Sequence, residues 1–213
     1  MKGRFLVFEG IDGCGKTTQI NKLKTWLPES GLLPNGSKLH LTREPGGTAL
    51  GNSLRELLLN PTDKVSPQPL TELLLYAADR AQHVSEIILP ALEKGDWVIS
   101  DRFSGSTLCY QGYGRNINID LIMQLELIAT QGLVPDMTFW FDLSIQESIN
   151  RRKEEVNDRI ESEGAEFLTR VANGFSEIAK ERNWIIVPAK LNKDLVSKQI
   201  QESLLKAYLQ RIR

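Results

Sequence analysis

Cysteine, histidine and excess charge are all scarce in this sequence. Two cysteines, Cys14 and Cys109, cannot build a disulfide framework. The two histidines, His40 and His83, stand far apart, and no Cys/His cluster has zinc spacing. Lys plus Arg is 26 and Asp plus Glu is 27, a net charge of −1. That balance excludes broad electrostatic adhesion to nucleic acid or to an anionic membrane, but not a small, focused anion site. Long apolar runs are missing too. The N-terminal run, Phe5 to Phe8, is much too short for a signal peptide or a membrane span. Together these absences predict a reduced, cytoplasmic setting without nucleic-acid or membrane partners.

What remains is an ordinary globular composition, 41% hydrophobic, which suffices to bury a core without metals or disulfides. The 213 residues predict one domain, 1–213, with little length left for a second. Short apolar runs alternate with helical patterns. Strands are predicted at Phe5–Phe8, Leu39–Thr42, Trp97–Ser100, Met137–Leu143 and Trp184–Val187. Between them, helices are predicted at Lys16–Leu27 (stopped by Pro28), Thr48–Leu59, Leu70–Lys94, Ile119–Thr130, around Phe167–Ala179, and at Leu195–Ile212. Pro90 predicts a kink or an early end in the third of these. Ser144 with Glu147 forms a capping-box pattern. The alternation predicts an α/β fold: a three-layer, P-loop NTPase-like arrangement with a parallel sheet of about five strands flanked by helices. The stretch from Lys153 to Glu166 is nearly all charged or small. It reads either as a solvated loop or as a short lid, spanning about 151–166.

Gly10, Ile11, Asp12, Gly13, Cys14, Gly15, Lys16 and Thr17 match G-x-x-x-x-G-K-[ST] between a buried strand and a helix. Glycines let successive backbone N–H groups face a phosphate, and the helix N-terminus adds positive potential. Lys16 supplies a point charge for the β- and γ-phosphates, and Thr17 a hydroxyl for Mg²⁺. The predicted ATP site runs from Gly10 through Thr18. Cys14 reads as a small side chain tolerated in a crowded loop rather than a redox group. A carboxylate beside phosphates needs its own task, so Asp12 is expected to meet a hydroxyl of a second substrate or a water of the magnesium shell. A GTPase would need Asn-Lys-x-Asp, but Asn192-Lys193-Asp194-Leu195 has the wrong order.

Five further stretches narrow the class. They are Phe8-Glu9-Gly10-Ile11-Asp12-Gly13, Thr42-Arg43-Glu44-Pro45-Gly46-Gly47-Thr48, Tyr76-Ala77-Ala78-Asp79-Arg80-Ala81-Gln82-His83, Asp101-Arg102-Phe103-Ser104-Gly105-Ser106 and Tyr110-Gln111-Gly112-Tyr113-Gly114-Arg115. In this order they resemble the thymidylate kinases (dTMP kinases) of the bacterial type, from Phe5 to about Ala179. The resemblance implies transfer of the ATP γ-phosphate to dTMP with Mg²⁺, a step toward dTTP for DNA replication, by a homodimer.

It also implies roles for single residues. Arg102 binds the dTMP phosphate, a task that suits a guanidinium fork. Tyr76 stacks on thymine, and Arg80, four residues on, meets its carbonyl edge. Ser106 and Thr107 fall at the thymine edge, Tyr110 at the sugar and Gln111 near the same pocket. Asp12 meets the 3′-hydroxyl. Arg43 and Pro45 shape the pocket, with Leu54 and Arg55 as neighbours. Asp101 either pairs with Arg102 or joins Thr17 at the magnesium shell. No arginine stands at Gly13, so the lid is expected to supply one. Asp158-Arg159-Ile160-Glu161 matches the family's D-R-[IL]-E and makes Arg159 the first choice, ahead of Arg151 and Arg152. The sequence departs from the family at Val187-Pro188-Ala189, where Val-Asp-Ala is frequent beside adenine.

Overall fold

The computed structural model describes residues 3–61, 66–153 and 158–209. Its sheet has five strands, all parallel: β1 (Arg4–Glu9), β2 (Leu39–Arg43), β3 (Trp97–Asp101), β4 (Met137–Asp142) and β5 (Ile185–Pro188). The spatial order is β2-β3-β1-β4-β5, so β1 is central. Leu6 pairs with Ile99 on one side and Met137 on the other. The apolar run from Phe5 to Phe8 is explained by this position, because a central strand of a covered sheet is buried on both faces. Leu6 and Phe8 enter the larger core, while Phe5 and Val7 enter a smaller one with Val84, Ile88, Val98 and Phe103. That period of two puts helices on both faces and makes three layers. The α/β fold class expected from the alternation is the one observed.

Helix boundaries follow local chemistry. Helix α1 (Lys16–Glu29) starts directly after the glycine loop. It runs past Pro28, which lies inside its last turn; the stop comes at Ser30, whose N–H and hydroxyl both bond Leu27 O. Helix α2 (Ala49–Leu59) is capped by Thr48, whose hydroxyl accepts from Gly51 N–H at 2.9 Å. Helix α3 (Pro69–His83) leads into a π-turn, Val84–Ile88, and then α4 (Leu89–Glu93). The π-turn is the break expected near Pro90. Pro90 has no N–H for the carbonyl four residues back, and Leu89 N–H reaches Val84 O instead.

One long segment escaped the sequence pattern. Helix α5 (Ser104–Thr107) continues as a π-helical stretch, Leu108–Gly114, buried along most of its length. Its glycines and polar residues hide a helical period. Helix α6 (Ile119–Thr130) has its expected bounds, with Asn118 as cap. Helix α7 (Ile145–Arg151) opens on Ser144, which accepts from Glu147 N–H at 3.3 Å. Helices α8 (Ala165–Glu181) and α9 (Lys193–Leu209) complete the layers. The expected end of the last helix at Ile212, and lid residues 154–157 with Glu154 and Glu155, lie outside the described residues. Among the described residues, no helix is long and apolar enough to cross a membrane.

Candidate active site

The carboxyl ends of β2 and β3 and the loop after β1 open onto one cleft, at the carboxyl edge where parallel sheets place ligands. Gly10, Gly13 and Gly15 all have positive φ, at 142°, 72° and 96°, which only glycine adopts without strain. The loop they form delivers Lys16 to its mouth. Lys16 Nζ donates to Gly10 O at 3.0 Å and Ile11 O at 3.2 Å. Thr17 Oγ1 donates to Asp101 Oδ2 at 3.0 Å. These two hard oxygens at the cleft floor suit a magnesium ion with retained water. Among the described residues no group of three or more His, Cys, Asp or Glu could hold a metal on its own. A site shared with phosphate oxygens fits that finding.

The cleft, about 760 Å³, is lined by Asp12, Gly13, Gly15, Lys16, Thr17 and Thr18, and also by Arg43, Arg55, Arg151 and Arg152. Cys14 faces away, into a smaller hollow beside the loop. Burial pushes its thiol up against the opposing pull of Lys16 and Arg102, so the helix N-terminus does not acidify it. That smaller hollow, about 330 Å³, is bounded by Thr18, Arg151, Ala189, Leu191 and Asn192. Pro188 does not line it. As the last residue of an edge strand, Pro188 sits where a missing N–H is tolerated.

A second pocket adjoins the cleft. Asp12, Pro45, Tyr76 and Arg80 line it, with Arg102, Ser106, Thr107, Tyr110 and Gln111. The structure thus brings together nine of the residues the resemblance assigned to the acceptor. Arg43 is exposed and lines only the phosphate cleft, while Leu54 lines neither hollow, although Arg55 beside it on α2 lines both. Glu44, Arg55, Leu59, Phe103, Asp158 and Ile160 complete the wall. Of these, only Arg55 was expected beside the acceptor; Glu44, Phe103, Asp158 and Ile160 lie in the motifs without a role of their own, and Leu59 lies in none.

Arg102 stands between the two hollows and lines both. Its φ of 72° is unusual for a non-glycine residue, and such strain gathers at functional sites. Nη2 donates to Asp12 Oδ1 at 2.6 Å, and Nη1 to Gly10 O at 2.8 Å. Burial opposes the charge on Asp12, yet Arg102 and Lys16 outweigh it and hold the carboxyl well below the usual range. Arg102 therefore pairs with Asp12, and Asp101 is left to Thr17. Tyr110 lies under the Arg102 guanidinium, 5.2 Å from ring centroid to Cζ. Burial pushes the Tyr110 and Tyr76 hydroxyls up, so both stay protonated donors.

Arg80 is fixed from beneath. Nε donates to Glu44 Oε2 at 2.8 Å and Nη1 to Thr107 Oγ1 at 3.0 Å. His83 completes the support, with Nδ1 2.8 Å from Glu44 Oε1 and Nε2 2.6 Å from Thr42 Oγ1.

The candidate lid arginines part company. Arg151 Nη1 donates to Gly13 O at 3.3 Å and Nη2 to Ala189 O at 2.8 Å. Arg152 packs its stem where a side chain at Gly13 would go: a Cβ there would meet Arg152 Cγ at 3.0 Å. Arg152 Nη1 lies 2.5 Å from Glu161 Oε1, and its Nε has no hydrogen-bond partner among the described residues. Arg159 lines neither hollow. Its Nε donates to Leu58 O at 2.8 Å and its Nη2 pairs with the buried Glu72. The D-R-I-E match therefore puts Asp158 and Ile160 on the acceptor pocket, with Arg159 between them turned away from it toward buried Glu72.

A phosphate loop facing a second pocket, with one arginine shared between them, defines a phosphate-loop nucleotide kinase. Residues 8–200 match the family described as "Thymidylate kinase". A thymidylate kinase from Prochlorococcus marinus strain MIT 9303 is 63% identical over 204 residues, covering 96% of this chain and 94% of the relative. One from Synechococcus sp. strain WH7803 is also 63% identical, covering 96% of each chain. The crystal structure of thymidylate kinase from Ehrlichia chaffeensis superposes with a TM-score of 0.75 at 35% identity, over 96% of this chain and 99% of that one. The chain belongs to the thymidylate kinase family.

Proposed function

We propose that this chain transfers the γ-phosphoryl group of ATP to dTMP, giving ADP and dTDP, as one kinase domain over residues 1–213 with a lid at about 151–166. The observation that carries the reading is the shared Arg102, which faces both the phosphate loop and a pocket lined by Tyr76, Arg80 and Tyr110. In-line transfer needs no covalent intermediate, so positioning and positive charge account for catalysis.

On this reading Gly10 to Thr18 hold the donor phosphates, with adenine in the hollow beside Ala189 and Asn192. Arg102 holds the acceptor phosphate. Asp12, paired with it, meets the sugar hydroxyl; Tyr76 and Arg80 hold the base, with Ser106, Thr107 and Gln111 at its edge. Tyr110 sits where a 2′-hydroxyl would need room. Thr17 and Asp101 would hold Mg²⁺. When bound, the ion neutralises phosphate charge; the chain's own residues fix the two substrates and exclude water. Arg152, beside Gly13 with an unpartnered Nε, is put forward for the migrating phosphoryl group, with Arg151 close to it. Arg159 anchors the lid in this conformation.

Two buried, free cysteines suit a reducing, cytoplasmic setting. We also read the exposed Leu70 and Leu74 of α3 and Leu127 and Ile128 of α6 as the face of a homodimer. The purified chain with ATP and Mg²⁺ is expected to convert dTMP to dTDP in preference to other nucleoside monophosphates. Turnover of a different monophosphate alone overturns the assignment.

A further inference from the structure

Glu9 is wholly buried, yet none of the roles above uses it. It ends β1, one residue before the phosphate loop, and its side chain turns away from that loop toward α5. Oε1 accepts from Phe103 N–H at 3.0 Å and Ser106 N–H at 3.1 Å. Helix α5 has no capping side chain of its own, since its N-cap is Phe103. Glu9 supplies the cap from the neighbouring strand, and a carboxylate suits a helix N-terminus.

The other oxygen reaches further. Ser106 Oγ donates to Glu9 Oε2 at 2.5 Å. The same hydroxyl lies 3.0 Å from Arg102 Nη1. A guanidinium only donates, so Ser106 must accept there. A hydroxyl has one proton, and here it goes to Glu9. Burial pushes the Glu9 carboxyl up to about 7, and in its ionised form it has only lone pairs to offer, so that form dictates the direction. Glu9 also holds Phe103 N–H, the peptide that follows the left-handed Arg102. Both the backbone and the guanidinium of Arg102 are thereby tied to one carboxylate.

We infer that Glu9 is a positioning residue for the acceptor phosphate: it orients the Ser106 hydroxyl and through it aims the Arg102 guanidinium. The inference rests on Arg102 as the acceptor-phosphate ligand in the proposed function. Glu9→Gln preserves volume and one oxygen for the two backbone N–H groups. Its amide nitrogen, however, only donates to Ser106 Oγ, so the hydroxyl loses the acceptor that fixes its proton and its lone pair is no longer held toward Arg102.

The test is steady-state kinetics in dTMP and in ATP, with thermal melts, for wild type, E9Q, S106A, R102A and the E9Q/S106A pair. E9Q is expected to raise the dTMP KM about tenfold and leave the ATP KM unchanged. S106A should do the same, and the pair should be no worse than either single change, since both act through one hydrogen bond. If E9Q lowers the melting temperature but leaves the dTMP KM alone, Glu9 is only a helix cap and the inference is overturned. If E9Q does not fold, S106A decides, because it keeps both backbone bonds to Glu9; an unchanged dTMP KM overturns the relay. Failure of the underlying reading looks different: wild type does not turn over dTMP, or R102A leaves the dTMP KM intact.

Discussion

Arg152 and Arg159 have similar standing in the sequence and different standing in space. Each lies in the charged segment after α7, and a motif match favours Arg159. Its guanidinium is nevertheless committed to Glu72 and to the end of α2. Arg152 instead fills the space beside Gly13, where an arginine on the loop itself would have projected. Positive charge at the migrating group is worth about 10³-fold or more in kcat. Arg152→Ala is therefore expected to lower kcat by about 10³-fold, and Arg159→Ala by less than about tenfold. Single-turnover measurements at saturating substrates check this; the reverse ranking returns the role to Arg159.

The same contrast shows what a residue pattern can carry. The phosphate loop, Arg102, Tyr76 and Arg80 were legible because each sits in a motif whose spacing reflects its chemistry. Glu72 lies in none of those motifs, and Glu9 and Glu44 lie in two of them without a role of their own. The role of a buried carboxylate becomes visible only when its donors, up to 97 positions away along the chain, are folded around it, as Glu9 is with Phe103 and Ser106.

At the level of elements, Glu72 joins three pieces of the fold. It lies on α3 and accepts from Gln111 Nε2 at 2.7 Å in the π-helical stretch and from Arg115 Nη2 at 3.0 Å just after it, and it pairs with Arg159. Arg115 extends the link to Glu163 at 2.6 Å. Glu72 is fully buried, so removing it leaves two guanidiniums without their shared counter-charge. Breaking buried pairs from one side costs about 3–5 kcal/mol. Glu72→Ala is expected to lose stability on that scale in urea unfolding; a loss under about 1 kcal/mol would mean that the arginines find water or Glu163 instead. Strands and most helices were legible because hydrophobic period decides them. The Leu108–Gly114 helix was not, since buried polar and glycine positions carry no period.

For the whole molecule, the net charge of −1 conceals a strong separation. Lys16, Arg80, Arg102 and Arg152 converge on the two hollows, where Asp12, Glu44 and Asp101 also lie, while buried Glu72 lines neither. The apolar surface is also concentrated. Leu127 and Ile128 on α6 are 66% and 73% exposed, and Leu70 and Leu74 on the adjoining α3 are 54% and 50% exposed. A patch of neighbouring large apolar side chains marks an interaction surface. Sedimentation equilibrium is expected to give twice the chain mass of 24.0 kDa, and Leu127→Glu to return it to 24.0 kDa. A wild-type monomer at micromolar concentration would refute the dimer.

The position of β1 has a consequence for how the chain comes into being. The strand that carries the phosphate loop is made first, but its two neighbours begin at Trp97 and Met137. Until β4 has left the ribosome, the loop has a strand behind it with one edge unpaired and one face uncovered. Contacts this distant in sequence form slowly. The phosphate loop is thus made well before the strands that come to flank it, and its support rests on pairings as far along the chain as Arg4 with Trp97 and Leu6 with Met137.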